Sequence, residues 1–87
     1  MSEEHEGFEY LVVQVQDMRA TFANGQWVGS ISLEAAKTDF TAGLNSCMQI
    51  WDYVQVAGRD GWEMVGTTSM GAPGAEFQML YFKRHAV

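Results

Sequence analysis

The sequence predicts an α+β domain, a four-stranded, mainly antiparallel sheet in the order β-β-α-β-β with one main helix packed on one face. Three observations carry this. Residues Phe8–Gln16 form a run rich in β-branched and aromatic side chains, as strands are. Asn24-Gly25 is the strongest short hairpin signal in the chain, because both residues accept the positive φ of a type I′ turn. Leu44, Cys47, Met48, Trp51, Val54 and Gly58 recur at helical spacing and make an apolar stripe.

In the first strand, Leu11, Val13 and Val15 share one face, and Tyr10, Val12, Gln14 and Gln16 share the other. A two-residue loop at Asn24-Gly25 pairs Ala23 with Gln26 and sets Phe22 opposite Trp27. Such a cross-strand aromatic pair is worth about 0.2–1 kcal/mol, so the register supports itself. The second strand then covers Gln26 to Ile31. Between Ser32 and Gly43, Leu33-Glu34-Ala35-Ala36-Lys37 fits one helical turn capped by Ser32, and Gly43 argues against an unbroken helix. Ser46-Cys47-Met48-Gln49 fits a capping box that opens the main helix, which runs to Ala57. Gly58 stands where a left-handed C-terminal cap wants no Cβ. Trp62–Thr68 is the third strand. Gly71-Ala72-Pro73-Gly74 is a turn. Glu76–Arg84 is the fourth strand, where Phe77, Met79 and Tyr81 alternate with Gln78, Leu80 and Phe82.

Composition bounds the function. Eighty-seven residues allow one domain, taken as residues 8–87 behind a flexible acidic tail, 1–7, that carries Glu3, Glu4 and Glu6. The chain is 47% apolar and 13% aromatic, which excludes intrinsic disorder. Eleven acids against five bases give a net charge of -6, a poor match for nucleic acid or an anionic membrane. No apolar run is long enough to cross a bilayer, and the acidic start is unlike a signal peptide, so a cytoplasmic location is the expectation. A single cysteine permits no intrachain disulfide.

The opening Phe8-Glu9-Tyr10-Leu11-Val12-Val13, the segment Ala57-Gly58-Arg59-Asp60-Gly61-Trp62-Glu63-Met64-Val65 and the closing Tyr81-Phe82-Lys83-Arg84 together resemble a small bacterial and phage family, the domain of unknown function DUF4177. The helix-Gly-x-x-Gly-Trp-Glu segment is the specific part. The resemblance covers most of residues 8–84 and is loosest between Ser32 and Leu44. It implies a compact β-β-α-β-β arrangement, no established activity and no catalytic residues.

Chemistry is sparse. His5 and His85 lie near the ends, and no paired-cysteine or His-x-x-x-His spacing suggests zinc. Cys47 reads as a small buried hydrophobe rather than a nucleophile. Trp62 reads as a core anchor between helix and sheet, and Glu63 as a strand residue facing away or pairing with Lys83 or Arg84. No catalytic residue, metal site or cofactor is expected. Met48, Met64 and Met79 read as core fillers, and Met70 as an exposed side chain.

Apolar residues do stand out, because they occupy both strand parities where a one-helix layer would call for alternation. Four strands about 4.8 Å apart and about 20 Å long offer a face of roughly 400 Å². That is half of the roughly 800 Å² per partner in a standard interface. Three readings follow. The chain is a non-enzymatic interaction domain that self-associates as a homo-oligomer, with a dimer as the first guess, through the face opposite the helix, and binds a protein or small ligand there. Tyr10, Val12, Trp27, Leu80 and Phe82 are its candidate interface residues. Alternatively, Ser32–Gly43 folds over that face. The third reading, from another class, is a small acidic inhibitor or ligand-sequestering protein, for which Lys83 and Arg84 are the candidate anion-binding pair.

Overall fold

A computed structural model of the chain describes residues 7–86. The acidic residues Glu3, Glu4 and Glu6 of the expected tail, and Val87, lie outside the described residues. The fold is α+β, with a five-stranded antiparallel sheet in the order β3-β2-β1-β5-β4 and three helices. Four strands and one main helix were expected, and both numbers are corrected.

The additional strand arises at a turn with no glycine in it. β1 (Phe8–Gln16) reverses through Asp17 and Met18, at φ of 53° and 64°, into β2 (Arg19–Ala23). Aspartate tolerates the left-handed region, but methionine is no turn signal. Asn24-Gly25 then makes the hairpin at φ of 49° and 81°, into β3 (Gln26–Trp27). Its register is the one read from the sequence, Phe22 against Trp27 and Ala23 against Gln26. The two rings meet edge to face, with centroids 5.5 Å apart. β3 is two residues long, well short of Ile31.

α1 (Leu33–Thr38) is capped as expected, the Ser32 hydroxyl accepting from the Ala35 amide at 3.1 Å. The break falls at Asp39, whose carboxylate caps α2 (Phe40–Asn45) by accepting from the Ala42 amide at 3.1 Å. Gly43 lies inside α2, where a Cβ would press on Ala36 of α1. The capping box at Ser46 does not form. The Ser46 hydroxyl donates instead to Gly43 O at 2.8 Å, ending α2. Residues 48–50 are held extended against β2, through Ala20 N to Met48 O and Ile50 N to Met18 O, both 2.9 Å. Tertiary pairing therefore delays α3 to Ile50–Arg59, with Gln49 as its N-cap.

The late start rotates the buried stripe. Ile50, Tyr53, Val54 and Ala57 face the sheet, whereas Met48 and Trp51 are exposed. The C-terminus is a Schellman motif centred on Gly61 (φ 90°) rather than Gly58. Trp62 N donates to Ala57 O, and Gly61 N to Gly58 O, both at 3.0 Å. This turn drops Trp62 against the core, as expected of it. β4 (Glu63–Met70) and β5 (Phe77–His85) complete the sheet as a hairpin.

The core lies between α3 and one sheet face. It joins Val13 and Val15 of β1, Ala20 of β2, Ala57 of α3, and Leu80 and Phe82 of β5. In β2, Phe22 pairs with Gln14 and Ala20 with Val15, which leaves Thr21 as a bulge. Thr21 is 1% exposed, and its hydroxyl lies 2.9 Å from Gln16 Oε1 and 3.2 Å from Gln14 O.

Candidate functional site

The register of β1 with β5 assigns each side chain to a face. Leu11 stands opposite Phe82 and Val13 opposite Leu80, on the helix side. Leu80 and Phe82 are 3% and 1% exposed, so these two interface candidates belong to the core instead. In an alternating strand the parity of one inward residue settles the rest. Val13 is inward and pairs with Leu80, so the outward residues of β5 are Phe77, Met79, Tyr81 and Lys83.

The opposite face is open. Tyr10, Val12 and Gln14 project from β1 beside Lys83, Tyr81 and Met79 of β5. Thr68 and Gly66 of β4 extend it on one side, and Phe22 of β2 on the other. None of these side chains is buried, and Tyr10 is 61% exposed. Val12, Gln14, Phe22 and Met79 line a shallow groove that ends at the Asn24-Gly25 turn. The polar residues here satisfy one another, with the Tyr81 hydroxyl 3.2 Å from Thr68 Oγ1 and Gln14 Nε2 donating to Gln16 Oε1 at 3.2 Å. Helices α1 and α2 pack on each other and beside β2, and no residue of α1 or α2 lines this groove. Phe40 and Leu44 of α2 stand beside Gln16 and Phe77 at one end of the face, so the Ser32–Gly43 segment reaches that end only and does not roof the stretch around Tyr10, Val12, Met79 and Tyr81.

Trp27 is committed within its own chain. Its indole N–H donates to Ile31 O at 2.7 Å, and a Cβ at Gly29 would collide with its ring. Lys83 and Arg84 are not brought together as an anion pair, because neighbours on a strand point to opposite faces. Lys83 Nζ lies 4.7 Å over the Phe8 ring on the open side. Arg84 stacks 4.2 Å over Trp62 on the helix side, donates to Asp60 O at 2.8 Å and pairs with Glu9 at 3.4 Å. Glu9, not Glu63, is therefore the carboxylate that meets the arginine. Met48 and Met64 are exposed rather than core fillers, Met79 lines the open groove, and Met70 is exposed.

Asn24 does more than turn the chain. Its Oδ1 accepts from Val12 N at 2.8 Å, and its Nδ2 donates to Tyr10 O at 3.3 Å. The side-chain amide thus occupies the β1 backbone just beyond the last β2 pair, Val13 with Ala23. The hairpin signal marks the turn but carries no hint of this second role. Cys47 is 2% exposed, and burial pushes its thiol pKa up, against smaller opposing effects of Ser46 and Arg19. Burial raises Tyr53 likewise. Among the described residues no three His, Cys, Asp or Glu side chains converge as a metal site requires, and no helix is long and apolar enough to cross a membrane.

No family model, curated protein or solved structure matches this chain, so the resemblance to the DUF4177 family rests on its motif residues alone.

Proposed function

We propose that the protein is a non-enzymatic interaction domain that works as a homo-oligomer, its open sheet face covered by the same face of a second copy. The observation that carries this is the composition of that face. Tyr10, Val12, Phe22, Met79 and Tyr81 meet there, and aromatic residues and methionine are the types enriched where proteins associate. No Asp or Glu stands among them, although the chain carries a net charge of -6. Glu63 stands only at the end of the face, opposite Lys83. Two copies can therefore meet here without like-charge repulsion, while a basic partner would find no acids to pair with. Five strands about 4.8 Å apart and up to nine residues long give a face of roughly 600 Å². That approaches the roughly 800 Å² per partner of a standard interface.

Sedimentation of the full chain at micromolar concentration tests the reading. An assembled species that Tyr10→Lys or Tyr81→Lys weakens at least tenfold is the expected result. A monomer at that concentration would overturn it.

A further inference from the structure

The sheet has two edges, and the molecule treats them differently. On the β2 side, β1 is paired with β2 only from Val13 onward, which leaves Phe8–Val12 beyond the last strand pair. Asn24 fills the nearest part of it with its amide, and the outermost strand, β3, is only two residues long. Short strands and blocking groups are how proteins keep sheet edges from pairing with other chains. The β4 edge is guarded only at its start, where Glu63 carries a charge and a bulge falls between Met64 and Gly66, while Gly66–Met70 run in regular register with β5. β4 is eight residues long, and every residue in it is exposed. Among the described residues its backbone takes hydrogen bonds only from β5, so its outward N–H and C=O groups are free. From Met64 to Ala75 no residue is charged, in a chain with sixteen charged residues among eighty-seven by the 18% count. The lysines and inward charges that commonly guard an edge are missing here.

We propose that β4 pairs antiparallel with β4 of a second copy, joining two five-stranded sheets into one of ten strands. The strand suits itself as a partner. A twofold axis near Thr67 or Thr68 sets threonine and serine side chains opposite one another, pairs that favour sheet formation. The uncharged edge lets two acidic molecules approach. Pairing about the axis also keeps both open faces on one side, so a doubled face is presented. This contact is separate from the face contact proposed above and does not depend on it. Together they make four copies, two ten-stranded sheets packed face to face.

Sedimentation equilibrium and residue-resolved amide exchange on the full chain test this. In the wild type, all β4 amides exchange slowly, including the alternate ones that do not bond to β5. Thr67→Lys or Ser69→Lys halves the mass of the assembly and frees those alternate amides, while the β5-bonded ones stay protected and the circular dichroism is unchanged. Gln55→Lys, an equal charge change on exposed α3, leaves the mass alone. Tyr10→Lys, aimed at the face, leaves β4 protected. Outward β4 amides that exchange as fast as the turn at residues 71–74 in the wild type would overturn the edge pairing. That result leaves the face contact standing, and loss of mass on Tyr10→Lys with β4 still protected separates the two the other way.

Discussion

Tyr81 and Phe82 are adjacent in β5 and similar in size, yet one lines an open face and the other is 1% exposed beneath a helix. The same contrast runs along β1, where Val13 is fully buried and Val12 is not. Nothing in the residue types explains it. What differs is the roof. α3 has ten residues, about 15 Å of helix, over a sheet whose long strands reach about 30 Å. It covers β1, β2 and part of β5 on one side and leaves β4 bare on both. The lesson is that a short chain can fold on half of its apolar strand surface and leave the other half open.

Phe82→Ala breaks this comparison most severely. It removes the largest fully buried side chain and should cost about 3–5 kcal/mol. A domain of this size has roughly 4–13 kcal/mol in total, so chemical denaturation should show a mostly lost fold. Tyr81→Ala, one residue away, should cost under about 1 kcal/mol in a dilute, monomeric state and should weaken assembly instead. Equal losses of stability from both would erase the distinction between the faces.

Gly29→Ala comes next. The added methyl meets the Trp27 indole, and overpacking of this kind costs about 1–3 kcal/mol. A lower thermal midpoint and a shifted tryptophan emission should report it. Asn24→Ala removes both hydrogen bonds to β1 and places alanine at a positive φ, a loss of about 1–2 kcal/mol. Faster exchange at the Val12 amide should accompany it and would sharpen the contrast between the protected and unprotected edges.

Two smaller effects follow from burial. The Cys47 thiol should resist a thiol reagent at neutral pH in the native protein and react at once when unfolded. Its pKa is raised on folding, as is that of Tyr53, so the native state keeps protons that the unfolded chain releases. Stability is therefore whole below the ordinary thiol range and falls as pH rises through it. Arg84→Ala should move stability by about 1 kcal/mol or less, because its pair with Glu9 is largely solvated.

Local turn chemistry was legible where it was unambiguous. Asn24-Gly25 set the Phe22–Trp27 register, and Ser32 marked the start of α1. Elsewhere, distant contacts overrode the local signal. The turn at Asp17-Met18 hides β2, because methionine adopts a left-handed conformation there only through the pairing on either side. Ser46 and Gln49 spell a capping box, but β2 holds the intervening backbone extended, and the helix waits for Ile50. That shift of three residues, from Ser46 to Gln49 as N-cap, turned Met48 and Trp51 outward. The open face was readable as an excess of apolar residues, yet its membership was not. Parity within β5 settles only once one residue is known to be inward, and either set could have taken that side. Leu80 and Phe82 went to the core, and Met79 and Tyr81 to the surface.

Hydroxyl-radical footprinting of the full chain across a dilution series bears most directly on the covering of that face. Tyr10, Met79 and Tyr81 should be shielded at high concentration and become reactive together on dilution, while the exposed Trp51 on α3 reacts equally throughout. Reactivity at Tyr10, Met79 and Tyr81 that is high and independent of concentration would mean that water, and not a second copy, occupies the open side of the sheet.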